Sequence, residues 1–157
     1  MRRCVRAVAL VLMQLVIACT SPEVGRPSVD RMADLPSVFL WAWERREDLS
    51  FIDPSQVGVA FLCGTIELDG SDVAVRPRMQ PLRTTVGTPL IAVVRIESGL
   101  KAAPMLSASQ GPQVVSAIVQ LTSVDAIVAV QVDYDARMSE RPFYRAFWRT
   151  CAPRSRQ

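Results

Sequence analysis

Residues 126–135 read Ala-Ile-Val-Ala-Val-Gln-Val-Asp-Tyr-Asp, and this stretch decides the fold. An apolar run of strand length ends in Gln131, Asp133 and Asp135, spaced two apart. Side chains in a strand alternate faces, so these three share one face, while Val130, Val132 and Tyr134 share the other. Strands that are apolar on both faces are those of parallel sheets covered on both sides. Acids at the carboxyl end of such a strand are how α/β barrels and open α/β sheets present carboxylates to a ligand. Carboxylates are costly to bury without partners, so they point to a site rather than to packing.

Three further runs resemble this one. Ser37 to Trp43 opens after Pro36. Val57 to Leu68 is interrupted by Cys63-Gly64. Leu90 to Glu97 is nearly all apolar. Leu68-Asp69-Gly70-Ser71 carries an Asp-Gly turn signal, so Val73 to Val75 is expected to return as a hairpin arm. Between the last two long runs the spacing predicts a helix. Ser107 or Ser109 is its cap, Pro112 suits its first turn, and Val114, Val115, Ile118, Val119, Leu121 and Thr122 form its apolar face. A second helix is expected over 139–148, capped by Ser139, with Pro142 in its first turn and Phe143, Tyr144, Phe147 and Trp148 at helical spacing. Residues 44–56 read as a link with at most a short turn near Asp53-Pro54, and 76–89, with three prolines and three arginines, as an extended loop.

Strand, connection, strand, helix, strand, helix argues for an α/β fold of (β/α) repeats with a mainly parallel sheet, resembling half of a TIM-type barrel. A whole barrel takes about 250 residues; removing an 18-residue leader from this 157-residue chain leaves about 139. Half a barrel has a bare sheet edge. A small open α/β sheet fits the same length.

The ends divide the chain into 1–18, 19–35, 36–148 and 149–157. Arg2, Arg3 and Arg6 precede an apolar segment from Ala7 to Ala18. That segment is shorter than the roughly 20 residues a membrane span needs, so it reads as a signal peptide. Val16-Ile17-Ala18-Cys19 resembles a bacterial lipoprotein cleavage box, with Cys19 as the lipidated residue and a polar tether after it. An ordinary secretory cleavage near Ala18 is the simpler alternative. No Asp follows Cys19 directly, which resembles lipoproteins sorted to the outer membrane, facing the periplasm. The tail from Arg149 has no apolar period. It reads either as a frayed end or as translation out of frame, the latter implying a truncated product without a complete fold; 17 arginines against one lysine fit GC-rich coding DNA.

Composition excludes several functions. Loss of Arg2, Arg3 and Arg6 brings 18 basic residues to 15, equal to the 15 acidic ones, so net charge gives no case for nucleic-acid binding. Without histidine, His-based triads and His-ligated metals are ruled out. Cys63 and Cys151, the two cysteines left after Cys4 and Cys19, have no metal-binding spacing. In an oxidising compartment they can pair, although Cys63 sits in an apolar run that equally suits a buried thiol. No Gly-rich phosphate loop follows any strand, so neither a nucleotide nor another cofactor is expected.

Alternation applied to each strand end yields the candidate site. Arg95 and Glu97 share a face, as do Trp41 and Trp43, and Gln131, Asp133 and Asp135. On adjacent parallel strands these groups meet at the carboxyl edge, where such sheets hold ligands. Two carboxylates serve as acid and base, or acid and nucleophile, in glycoside hydrolysis, and paired tryptophans suit sugar rings. A structural ion pair with core tryptophans is the plain alternative.

Five blocks occur in order: Pro36-Ser-Val-Phe-Leu-Trp-Ala-Trp-Glu-Arg45, Gly58-Val-Ala-Phe61, Arg76-Pro-Arg-Met-Gln-Pro-Leu-Arg83, Ala92-Val-Val-Arg-Ile-Glu97, and Gln131-Val-Asp-Tyr-Asp-Ala136 with Ser139-Glu-Arg-Pro-Phe-Tyr144. Together they resemble an uncharacterised bacterial family, domain-of-unknown-function family 3142, over residues 35 to 147. The resemblance implies an α/β barrel that continues well beyond this chain's length, and it names no reaction. More distantly, Gln131-x-Asp133-x-Asp135 resembles the Asp-x-Asp-x-Glu strand end of chitinase-like glycoside hydrolases. It implies Asp135 as proton donor and Asp133 as its orienting acid. Gln131 stands where those enzymes have Asp, and Asp135 where they have Glu, one CH₂ shorter. The expected function is therefore a lipid-anchored, glycoside hydrolase-like envelope protein, with Arg95, Glu97, Trp41, Trp43 and Gln131 contacting carbohydrate. The competing expectation is a non-catalytic anchored binding protein.

Overall fold

A computed structural model of the chain describes residues 32–124 and 126–151. The leader with Cys19, most of the tether, and the tail after Cys151 lie outside these residues, as does the side chain of Cys151. The described fold belongs to a compact unit beginning at Asp34.

The centre is a mainly parallel sheet. Strand β1 (Val38–Ala42) pairs with the 13-residue β3 (Val57–Asp69), β3 with β6 (Leu90–Ser98), and β6 with β7 (Ile127–Tyr134), all in parallel. The four long runs legible in the sequence are these four strands. The expected hairpin forms as well: β4 (Asp72–Pro77) returns antiparallel along β3, with Asp69 opposite Asp72. Its turn is possible because Gly70 adopts φ +58°, a conformation that costs glycine little. The fold is α/β with a mainly parallel sheet, as the sequence implies.

Helix α1 (Gln110–Leu121) and helix α2 (Arg141–Cys151) cover one face. Ile66, Leu68, Ala92, Val94 and Ile96 of the sheet pack there with Val114, Ala117 and Ile118 of α1 and Phe147 of α2. The amino-terminal part of the same face, around Ala42 and Val59, is covered differently. Here Leu49, Ile52 and Leu82 pack on it, carried by a two-stranded parallel ribbon of β2 (Glu47–Leu49) and β5 (Leu82–Thr84). The sequence reading left both segments as irregular connections. Each strand is only three residues long, and they are 33 positions apart, so only tertiary pairing makes them strands.

Three local corrections follow. Val119 is 62% exposed rather than in the core; it lies about 100° round the helix from Ile118, and the buried stripe runs through Gln110, Val114, Ala117 and Ile118 instead. Ser109 occupies the cap position of α1 but makes no capping bond. Buried Gln110 ties that end down, donating from Nε2 to the Gly70 carbonyl and accepting from the Ser107 N–H at Oε1. At the second helix, Ser139 is not the cap. A 3₁₀ turn (Met138–Glu140) precedes α2, and its cap position is Arg137.

Cys63 is a free, buried thiol, so the pairing with Cys151 considered above is not formed. Burial pushes its pKa up to about 11. Cys63 also marks a break in register: Leu62 pairs with Val93, and the next match is Gly64 with Val94. This one-residue bulge flips the alternation of β3. Before it, Ala60 and Leu62 point away from the helices. After it, Thr65 and Glu67 do.

Candidate functional site

The face of the sheet opposite the helices gathers every residue that the alternation singled out. Its floor, toward the amino ends of the strands, holds buried Ala60, Leu62 and Val93, with Gln131 beside Val93 at the outer strand. Two polar rows follow toward the carboxyl ends. The register aligns Arg76, Thr65, Arg95 and Asp133 across β4, β3, β6 and β7. One step further, Glu67 aligns with Glu97. Asp135, two residues beyond Asp133, continues this second row just past the end of β7.

The side chains link these rows. Trp41 and Trp43 stack with ring centroids 5.8 Å apart and planes 21° from parallel. The Arg95 guanidinium lies over the Trp43 ring at 5.8 Å, within cation–π range. Arg95 Nε lies 3.5 Å from a Glu97 oxygen, and Arg76 donates to the other oxygen at 3.1 Å. A shallow polar cleft of about 210 Å³ then separates Glu97 from Asp135, lined also by Ser98, Ala136 and Arg137. Trp41, Trp43, Arg95, Glu97 and Asp135 thus form one continuous strip along the carboxyl edge. Asp133 adjoins it through its register with Arg95; Gln131 lies two residues below.

Four contributors were not singled out from sequence. Glu67 and Arg76 face this side only because the bulge at Cys63 reverses the alternation of β3, a reversal that apolar patterning cannot reveal. Two acids directly opposite each other, as Glu67 and Glu97 are, cost stability in a sheet unless cations attend them; Arg76 and Arg95 both pair with Glu97. Arg78 donates from its guanidinium to the Trp43 and Arg45 carbonyls and from Nε to the Gln80 carbonyl at 2.7 Å. It thereby fixes the backbone that carries the tryptophan pair.

The fourth is Glu140, only 2% exposed. Its carboxylate accepts from the Ser98 hydroxyl at 2.6 Å, the Arg137 N–H at 3.0 Å and the Tyr134 hydroxyl at 3.3 Å. Burial pushes its pKa up, but these donors and the nearby Arg137 charge outweigh it and hold the group below its ordinary value. Burial, and then the charge of Glu140, push the Tyr134 phenol well above its ordinary value. Glu140 therefore ties the end of β6, the end of β7 and the entry to α2 around one carboxylate. Ser98 and Arg137 are immediate neighbours of the cleft that holds Glu97 and Asp135, so this carboxylate sets the cleft's frame.

Among the described residues no group of acids or cysteines is arranged to hold a metal ion, and no helix is long and apolar enough to cross a membrane. A larger hollow of about 570 Å³ lies on the helix side, between the start of α1 and α2, and is lined mainly by apolar groups such as Leu106, Pro142 and Phe143. It contains none of the charged rows.

No protein-family model, curated protein or solved structure matches the chain. The functional reading therefore rests on the residues themselves.

Proposed function

We propose that this chain is a bacterial envelope lipoprotein, anchored by lipid on Cys19, whose carboxyl-edge strip engages carbohydrate in the manner of a glycoside hydrolase. The observation that carries the proposal is the continuity of the strip. Stacked, half-exposed Trp41 and Trp43 adjoin Arg95 and Glu97, and a polar cleft joins Glu97 to Asp135. An apolar ring face beside charged hydrogen-bonding groups is what a pyranose, with apolar faces and a hydroxyl rim, requires. Asp135 is the proton donor in this reading. Asp133, about 6–7 Å along the same strand face, orients it or a water. The spacing Gln131-x-Asp133-x-Asp135, which resembles the strand end of chitinase-like enzymes, is consistent with this assignment.

The test is hydrolysis of aryl glycosides and envelope polysaccharides by the full chain, compared with Asp135→Asn. Activity abolished in a variant with unchanged melting behaviour supports the proposal; activity equal to wild type overturns it. A second reading, a binding protein without catalysis, is favoured by one specific observation: Asp135 is exposed, whereas proton donors work where water is excluded. Saccharide binding that survives Asp133→Asn and Asp135→Asn but is lost in Trp43→Ala, with no hydrolysis in any variant, selects it. The anchor is tested separately by palmitate labelling, which Cys19→Ser should abolish.

A further inference from the structure

We infer that α2 lays a ridge of arginines on an anionic lipid bilayer, with Trp148 seated at the boundary between headgroups and acyl chains. The inference rests neither on a lipid at Cys19 nor on the chemistry of the carboxyl-edge strip. It begins with the distribution of charge. Residues 102–124, which include all of α1, carry no charged side chain. Helix α2 carries Arg141, Arg145 and Arg149 and no acid. Glu140, just before it, is buried, and its oxygens are taken by Ser98, Tyr134 and the Arg137 N–H. Every other acid of the described residues lies on a strand or in a loop. None of the three arginines is paired with an acid among the described residues. A chain of nearly balanced charge thus carries, on its two helices, exposed charge of one sign only.

A spacing of four residues sets each arginine about 40° round the helix from the last, so the three form one ridge. All three are exposed, and Arg145 lies about 160° round the helix from Phe147, which is buried in the core. Apolar surface flanks the ridge on both sides. On one side lies the hollow of about 570 Å³ lined by Leu106, Pro142 and Phe143. On the other, Trp148, Val119 and Val130, which are 40%, 62% and 45% exposed, border a second hollow of about 320 Å³ between the helices and β7. The Trp148 ring is braced by Tyr144, edge-on at 6.0 Å, and by Phe147, tilted at 5.9 Å. Arginines beside a tryptophan that borders apolar surface are the pattern of helices lying in a membrane interface. A bilayer surface answers both parts, offering phosphates to the guanidiniums and an acyl boundary to the ring and the hollows. A rigid polyanion answers only the first. The charged strip lies on the other face of the sheet, so docking through α2 points it away from the bilayer.

Fluorescence quenching of the full chain by vesicles with brominated acyl chains tests this. One set of vesicles is phosphatidylcholine alone; the other is equal parts phosphatidylcholine and phosphatidylglycerol. Trp148 emission, taken as the difference between wild type and Trp148→Phe, should be quenched on the mixed vesicles and not on the neutral ones. Any membrane affinity of the amino-terminal segment is common to every variant compared. Replacing Arg141, Arg145 and Arg149 together by Gln should lower the docking constant about a hundredfold, since each basic residue at an anionic surface contributes roughly a fivefold factor. Circular dichroism should not change. Arg145→Gln alone should lower it about fivefold, whereas Arg76→Gln, which removes the same charge from the opposite face, should leave it unaltered. Equal quenching on both vesicles overturns the inference, as does Trp148 unquenched on both. So do a triple variant that docks like wild type and a loss with Arg76→Gln as large as with Arg145→Gln. Heparin binding that needs the same arginines while Trp148 stays unquenched overturns it in favour of a polyanion. If the triple variant fails to fold, wild type in molar salt decides the question: quenching that fades as salt rises supports the inference, and quenching that persists overturns it.

Discussion

Replacing Glu140 should damage this fold more than replacing any of the exposed acids of the strip. In Glu140→Ala the Ser98 hydroxyl, the Tyr134 hydroxyl and the Arg137 N–H lose a shared acceptor inside a site that is 2% exposed. Hydrogen bonds to a charged group contribute about 1.5–3 kcal/mol each. The 2.6 Å and 3.0 Å contacts count fully and the 3.3 Å contact weakly, so the expected loss is about 4 kcal/mol, a large part of a typical domain's 5–15 kcal/mol. For a unit of this size that is a fall in Tm of roughly 12–16 °C. Glu140→Gln keeps one acceptor oxygen and should cost about 1–2 kcal/mol. Acid sensitivity separates charge from shape. Because the folded-state pKa of Glu140 lies below its unfolded value, its contribution is present above the unfolded value. It is lost as pH falls through the folded one. Urea titrations from pH 7 downward should therefore show wild type losing its advantage over Glu140→Gln below about pH 4.5, with the two curves converging. Glu140→Ala within about 1 kcal/mol of wild type, or a gap between wild type and Glu140→Gln that does not narrow in acid, would refute the clamp.

Other outcomes are as specific. Gly64→Ala should destabilise by about 1–3 kcal/mol, since the added methyl would sit 2.8 Å from a Leu121 methyl and 2.9 Å from the Arg76 carbonyl oxygen; an unchanged urea midpoint contradicts the close packing of α1 on the bulge. Gln110→Leu strands the Gly70 carbonyl and the Ser107 N–H and should cost about 1–3 kcal/mol, with hydrogen exchange accelerating at the β3–β4 turn; loss of stability without that local signature would place the role elsewhere. Cys63, with its thiol pushed up to about 11, should resist iodoacetamide at pH 8 in the folded chain and react in urea. Fast labelling of the native protein would show that the bulge opens. Arg78→Ala should loosen the Trp41–Trp43 stack, seen as a shift in tryptophan emission with little change in far-ultraviolet dichroism; an identical spectrum would show that the backbone holds without it.

The parts of this fold legible in sequence are those whose burial is settled within one element. The runs ending at Glu97 and Asp135 are long, apolar and bounded by polar residues, so their strand character and the parity of Arg95, Glu97, Asp133 and Asp135 follow from alternation alone. The β2–β5 ribbon was not legible because Glu47-Asp48-Leu49 and Leu82-Arg83-Thr84 have no period of their own. Each is a strand because the other is there and because Leu49 and Leu82 cover Val59. Glu67 escaped for a sharper reason. Counted from Leu62 without a bulge it falls on the helix face, where a carboxylate has no place. Counted through the doubled step at Cys63-Gly64 it falls beside Glu97. Gly64 is what permits that step, since any side chain there meets Leu121 and the β4 backbone. The bulge therefore does more than relieve a long strand. It keeps Cys63, Ile66 and Leu68 on the apolar face while turning Thr65 and Glu67 toward Arg76 and Arg95, and so it assembles two charged rows out of a strand whose sequence reads as continuous core.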